Sequence, residues 1–94
     1  MKLVLCKRCQ DVVRLVSEAR QCKCRACGGA YLDDIQAVYW GNDAVPLGFD
    51  NNTLVDALKS QPAGPGVGAT FVAFVIPRVC DTFKKVKAPT IVPN

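Results

Sequence analysis

The chain has 94 residues, 50% of them hydrophobic and 21% charged, a composition that fits one globular domain and excludes a disordered chain. It holds no histidine and no apolar run of about 20 residues, which excludes His-based catalysis, a mixed Cys/His metal site and a helical membrane span. The net charge of +4 is unevenly spread: residues 1–27 carry seven basic and two acidic side chains, residues 28–81 two basic and six acidic, and residues 82–94 three lysines.

Met1-Lys2-Leu3-Val4-Leu5-Cys6 is too short and too charged for a signal peptide, so a cytoplasmic location is expected. Leu3 to Leu5 reads as a short strand leading into Cys6. Asp11 to Val16 is rich in β-branched residues and predicts a second strand. Ser17-Glu18-Ala19-Arg20 is a polar turn that returns the chain to Cys22. Beyond Cys27-Gly28-Gly29, one strand ends near Tyr31 and another covers Gln36 to Trp40, with Asp33-Asp34 between them. Gly41-Asn42-Asp43 is a turn, and Pro46-Leu47-Gly48-Phe49 reads as a loop with apolar anchors.

Thr53-Leu54-Val55-Asp56 fits a capping box with Thr53 as N-cap, and the helix it opens must stop by Gln61, before Pro62. Gly64-x-Gly66-x-Gly68 follows a helix and precedes a strand. A phosphate loop needs the opposite order, so this segment reads as a connector. Ala69 to Ile76 is the most hydrophobic stretch and predicts a strand covered on both faces. Asp81 to Val86 predicts an edge strand guarded by Lys84, Lys85 and Lys87. The expected architecture is a single α+β domain over 1–94. A zinc-ribbon-like module over 1–30 packs on a small antiparallel sheet with one short helix over 31–87, and a tail covers 88–94.

The cysteines carry the chemistry. Cys6-Lys7-Arg8-Cys9 and Cys24-Arg25-Ala26-Cys27 are C-x-x-C pairs with fourteen residues between Cys9 and Cys24. A tight knuckle aims two thiolates at one point, and a hairpin brings two knuckles together. Four thiolates then complete a closed tetrahedral site for one structural Zn²⁺. Cys22-Lys23-Cys24 offers a second way to build the later knuckle, so five cysteines compete for four positions. Spacing alone favours Cys27, because Gly28 permits a close turn. Cys80 stands alone beside a hydrophobic strand and reads as a small buried hydrophobe. Disulfides are the rival account for six cysteines. The knuckle spacing and the expected reducing compartment oppose it.

Cys6/Cys9, Cys22/Cys24, Gly28-Gly29-Ala30-Tyr31-Leu32, the segment Ala44 to Asn51 with Pro46-Leu47-Gly48-Phe49, and Ala73-Phe74-Val75-Ile76-Pro77 together form a pattern. In these pieces the chain resembles a group of small uncharacterised bacterial and phage proteins. Arg25 stands where their pattern has glycine, and Cys27 where it has a small polar residue. The resemblance implies Cys6, Cys9, Cys22 and Cys24 as ligands, and the spacing keeps Cys27 as the competing fourth ligand in place of Cys22. The N-terminal third also resembles small phage translational regulators with a four-cysteine zinc module.

Lys7, Arg8, Lys23 and Arg25 lie inside or beside the knuckles, where they can meet phosphates or shield thiolates. Trp40, before Gly41, is a candidate for presenting its ring to a protein partner. Tyr31, Tyr39, Phe49 and Trp40 itself read first as core residues, with stacking on bases or a nucleotide as the alternative. The acidic side chains read as solvated surface, with a turn hydrogen bond as the next role for Asp33 and Asp34. The expected function is a small zinc-stabilised, non-enzymatic binding protein, a phage-type regulator contacting nucleic acid through its basic knuckles. The alternatives are a protein-interaction module or inhibitor, and a nucleotide- or small-molecule-sequestering protein.

Overall fold

Lys2–Cys6 forms β1, the strand expected at the start of the chain, and both of its faces are buried at Leu3, Val4 and Cys6. A strand covered in this way needs neighbours on both edges. In the computed structural model, which describes residues 1–88, they are β2 (Val12–Arg14) and β6 (Ala44–Phe49), both antiparallel to β1. β7 (Ala73–Val75) pairs with the far edge of β6, so the first sheet runs β2-β1-β6-β7. The second sheet has the order β3-β4-β5-β8 and comprises β3 (Arg20–Gln21), β4 (Gly28–Tyr31), β5 (Ala37–Trp40) and β8 (Phe83–Lys85). β8 lies parallel to β5, so this sheet is mixed. With one helix, α1 (Asn51–Lys59), the chain is a small α+β fold.

The segment 1–30 does not close on itself. β1 pairs with β6, β4 pairs with β5, and residue 30 falls inside β4. The knuckle region is therefore woven into both sheets. Between the sheets lies one apolar cluster that includes Val4, Val13, Leu15, Ala37, Tyr39 and Phe83. Tyr39 and Phe83 meet edge-to-face with ring centroids 5.1 Å apart. Phe83 is fully enclosed, so the lysine-guarded edge strand also supplies a core anchor.

Three expectations are corrected. The Pro46-Leu47-Gly48-Phe49 segment is not a loop; it belongs to β6, an interior strand. Pro46 is tolerated because its carbonyl faces β7, accepting the Ile76 N–H at 2.9 Å. In a strand the N–H and C=O of one residue point to the same side. The donor missing from proline is therefore lost next to the end of β7, and the ladder with β1 is intact. The helix begins at Asn51 with Asp50 as N-cap, not at Thr53. The Thr53 hydroxyl instead donates to the Asp50 carbonyl at 3.3 Å and accepts the Val72 N–H at 2.9 Å, tying α1 to the approach of β7. Finally, the hydrophobic stretch over 69–76 yields only Ala73–Val75 as strand, and that strand is exposed throughout.

The turn after β4 does use an aspartate. Asp33 Oδ1 accepts the N–H groups of Gln36 (2.6 Å) and Ile35 (2.8 Å), which hold its carboxyl below the usual carboxylate range. The tail expected over 88–94 lies, beyond Ala88, outside the described residues.

Candidate metal centre

Each cysteine knuckle is the tip of a hairpin, and the two hairpins belong to different sheets. In the first, between β1 and β2, the Cys6 N–H donates to the Asp11 carbonyl (2.9 Å) and the Gln10 N–H to the Cys6 carbonyl (2.7 Å). Gln10 turns the chain with φ 61°. The second, between β3 and β4, repeats the device: the Cys22 N–H donates to the Cys27 carbonyl (2.9 Å) and the Arg25 N–H to the Cys22 carbonyl (3.0 Å). Arg25 has φ 64°, in the left-handed region that favours glycine.

The tips are joined by bonds that no local pattern announces. Asp11 Oδ2 accepts the Lys23 N–H at 3.0 Å, linking one knuckle to the other. The Lys7 N–H donates to the Asp43 carbonyl at 2.9 Å, which brings the turn between β5 and β6 to the same end. In that turn Gly41 has φ +112°, and a Cβ there would lie 2.4 Å from the Ala26 carbonyl oxygen and 2.9 Å from Cys27 Sγ. Asp11 and Gly41 are therefore parts of the site that sequence reading missed. Their roles depend on contacts between segments far apart in the chain.

The result is a cluster of four sulfurs, those of Cys6, Cys9, Cys22 and Cys24, all within 4.8 Å of one another. Cys6 and Cys22 are buried, Cys9 is half-buried and Cys24 is exposed. The Cys6 and Cys24 sulfurs are 3.8 Å apart, and those of Cys22 and Cys24 are 3.6 Å apart. Four sulfurs placed tetrahedrally about 2.3 Å from a zinc ion would be separated by about 3.8 Å. The spacing fits a metal ion and is far from a disulfide bond; all six cysteines are unpaired thiols.

Cys27 has a different place. Its N–H donates to Cys22 Sγ at 3.4 Å, while its own fully enclosed thiol lies beside Cys6. Burial, then the thiols of Cys6 and Cys22 and the carboxylate of Asp43, push the Cys27 thiol up to about 12. These causes favour the protonated form of Cys27, and its amide supports the Cys22 sulfur. Cys6 is affected in the opposite sense. Its burial opposes the thiolate, but hydrogen bonds from the Cys9 amide, the Cys27 thiol, the Arg8 amide and the Cys22 thiol outweigh it and bring Cys6 down to about 6. At Cys24 the Ala26 amide favours the thiolate. Desolvation and the thiols of Cys22, Cys9 and Cys6 prevail and raise it to about 11. Cys9 is lowered by the amides of Cys24 and Asp11. A divalent ion bound here would displace the protons that the crowded thiols retain. Four thiolates fill a tetrahedral shell.

Lys7, Arg8, Lys23 and Arg25 are exposed around this cluster, as their positions in the knuckles imply. Cys80 is half-buried against the core, its sulfur 3.6 Å from the Thr82 hydroxyl, and is not among the clustered four. Trp40 is the clear correction. Its ring is 3% exposed and cannot present itself to a partner. It pairs with Gly28 across β4 and β5, and a Cβ on Gly28 would fall 2.7 Å from two indole carbons. The glycine makes room for the indole, whose Nε1 is buried without a hydrogen-bond partner among the described residues. No protein-family model, curated protein or solved structure matches this chain.

Proposed function

We propose that the protein is a non-enzymatic binding protein, stapled by one structural zinc ion on Cys6, Cys9, Cys22 and Cys24, that contacts nucleic acid as a small regulator. The ion would supply cross-linking between two hairpins of different sheets. The supporting observation is that Lys7, Arg8, Lys23 and Arg25 are all exposed at the end that gathers the four sulfurs. Four thiolates with one divalent ion carry a net charge of about −2, and the four cations offset both it and the Asp11 and Asp43 carboxylates at that end while leaving exposed positive side chains around the cluster. Phosphates are the natural counterpart of such a surface.

The test is fluorescence anisotropy with a labelled, mixed-sequence single-stranded RNA between about 50 and about 200 mM salt. Affinity should fall steeply with salt, and the log–log slope should shrink by roughly one for each of the four residues changed to glutamine that contacts a phosphate. Absent or salt-insensitive binding refutes the proposal.

A protein-partner reading draws on a different surface, now that Trp40 is enclosed. Phe74 and Val75 are 47% and 65% exposed on β7, an edge strand. Such an edge accepts an added strand, and Val75→Lys should block that mode of binding in a pull-down while leaving RNA affinity unchanged. A partner that survives Val75→Lys would rule out edge pairing.

A further inference from the structure

A cleft of about 400 Å³ opens between the two sheets, beside the first knuckle. Three cations from separate parts of the chain line it: Lys7 from the first knuckle, Arg78 from the segment after β7, and Lys85 from the end of β8. None of the described residues that line it is acidic. Asn42 adds a neutral side chain with both a donor and an acceptor, and Pro46 and Ile76 give the cleft an apolar wall.

Three like charges drawn into one concavity repel each other unless something between them is negative. Asp81 borders a neighbouring concavity with Arg78 and Lys85 but is not among the residues that line this one, Asp43 acts electrostatically on Cys27, and Asp33 is engaged in its own turn. A compact group with several acceptor oxygens answers three cationic donors and an amide, and phosphate is the group of that kind with matching charge. The volume falls in the range of small-molecule sites, and the apolar wall gives the rest of such a ligand a surface to cover.

We propose that this cleft binds a small phosphorylated compound of mononucleotide size, with its phosphate among Lys7, Arg78 and Lys85 and its body against Pro46 and Ile76. The site shares Lys7 with the nucleic-acid reading but adds Arg78 and Lys85, which lie outside the knuckles, so variants at these two positions separate the two proposals. The Gly64-Gly66-Gly68 segment takes no part in it. An added Cβ at any of those glycines would meet no atom within 4 Å, so they border open space.

The experiment is calorimetric titration of the metal-loaded full chain at low salt with adenosine 5′-monophosphate, inorganic phosphate and adenosine. The monophosphate should bind, inorganic phosphate should compete with it, and adenosine should bind at least tenfold more weakly. Arg78→Gln and Lys85→Gln should each weaken monophosphate binding by roughly tenfold. Lys23→Gln should leave it unchanged while weakening RNA. Both cleft positions are exposed, and unchanged metal content and amide spectra would confirm that each variant is folded. In the wild type, the monophosphate should shift the amide resonances of Asn42, Ile76 and Lys85. The proposal is overturned by no monophosphate binding at millimolar concentration, by equal binding of adenosine, by shifts confined to the knuckles, or by wild-type affinity in both cleft variants.

Discussion

The division of labour between Cys22 and Cys27 can be tested by replacing each with serine. The two sulfurs lie on neighbouring positions of one hairpin, and spacing alone favours Cys27 as the ligand. In the fold, Cys22 Sγ is 3.6 Å from Cys24 Sγ, close to the separation of about 3.8 Å between two ligands of a tetrahedral zinc site. Cys27 stands outside the four sulfurs that lie within 4.8 Å of one another. Its amide supports Cys22 Sγ through the backbone, a bond that serine at position 27 retains. Cys27→Ser should therefore leave one metal ion per chain. It should lower stability by about 1–3 kcal/mol, because a hydroxyl replaces an enclosed thiol in an apolar cluster. Its metal affinity should fall by no more than about 10–100-fold, the usual scale for a group that only supports a ligand. Cys22→Ser removes a coordinating sulfur, so its loss of affinity should exceed that range. Cobalt substitution counts thiolates through the charge-transfer absorption, and competition with a chromophoric chelator gives the affinity. Four thiolates in Cys27→Ser and at most three in Cys22→Ser is the expected pattern. The reverse would refute the assignment and restore Cys27 as the ligand.

Gln10 turns the first knuckle with φ 61°, so Gln10→Gly should relieve strain and raise stability by about 0.5–1 kcal/mol, measured by urea unfolding of the metal-loaded protein. An unchanged or lower midpoint would show that the turn is unstrained. Gly28→Ala drives a methyl group to within 2.5 Å of the Arg20 carbonyl oxygen and 2.7 Å of the Trp40 indole. It should cost about 1–3 kcal/mol and shift tryptophan emission to the red, and wild-type emission would contradict the packing described. Asp33 is held below the ordinary carboxylate range by the amides of Gln36 and Ile35. Its contribution to stability is complete above the unfolded-state value of about 4 and is lost as pH falls through its lower folded value. Asp33→Ala should therefore flatten the stability–pH curve below about pH 4, and a curve parallel to wild type there would remove Asp33 from the account.

Much of the outline is legible along the chain. The strands near Leu3, Val13, Tyr31 and Tyr39 carry β-branched and aromatic residues between turn residues, and local preference and tertiary structure agree there. Pro46 misleads because its missing donor matters only on the side of the strand where a hydrogen bond is required, and that side depends on which neighbour pairs there. Phe74 and Val75 mislead in the opposite way. Their hydrophobicity suits a covered strand, yet the sheet ends at β7.

The sequence by itself determined that the chain is α+β, that its cysteines come in knuckles and that those knuckles are surrounded by positive charge. These follow from residue type and short spacing, which act through local geometry. Only the tertiary structure decided which four sulfurs meet, where Trp40 goes, and that Lys7, Arg78 and Lys85 share one cleft. The hairpin register aligns Cys22 with Cys27 through a backbone bond, the pairing of β4 with β5 lays the Trp40 indole over Gly28, and β8 joins β5 in parallel to carry Lys85 toward the first knuckle. Each outcome depends on which strand edge finds which partner. That choice is made by burial of the shared core, a property of the whole chain rather than of any segment within it.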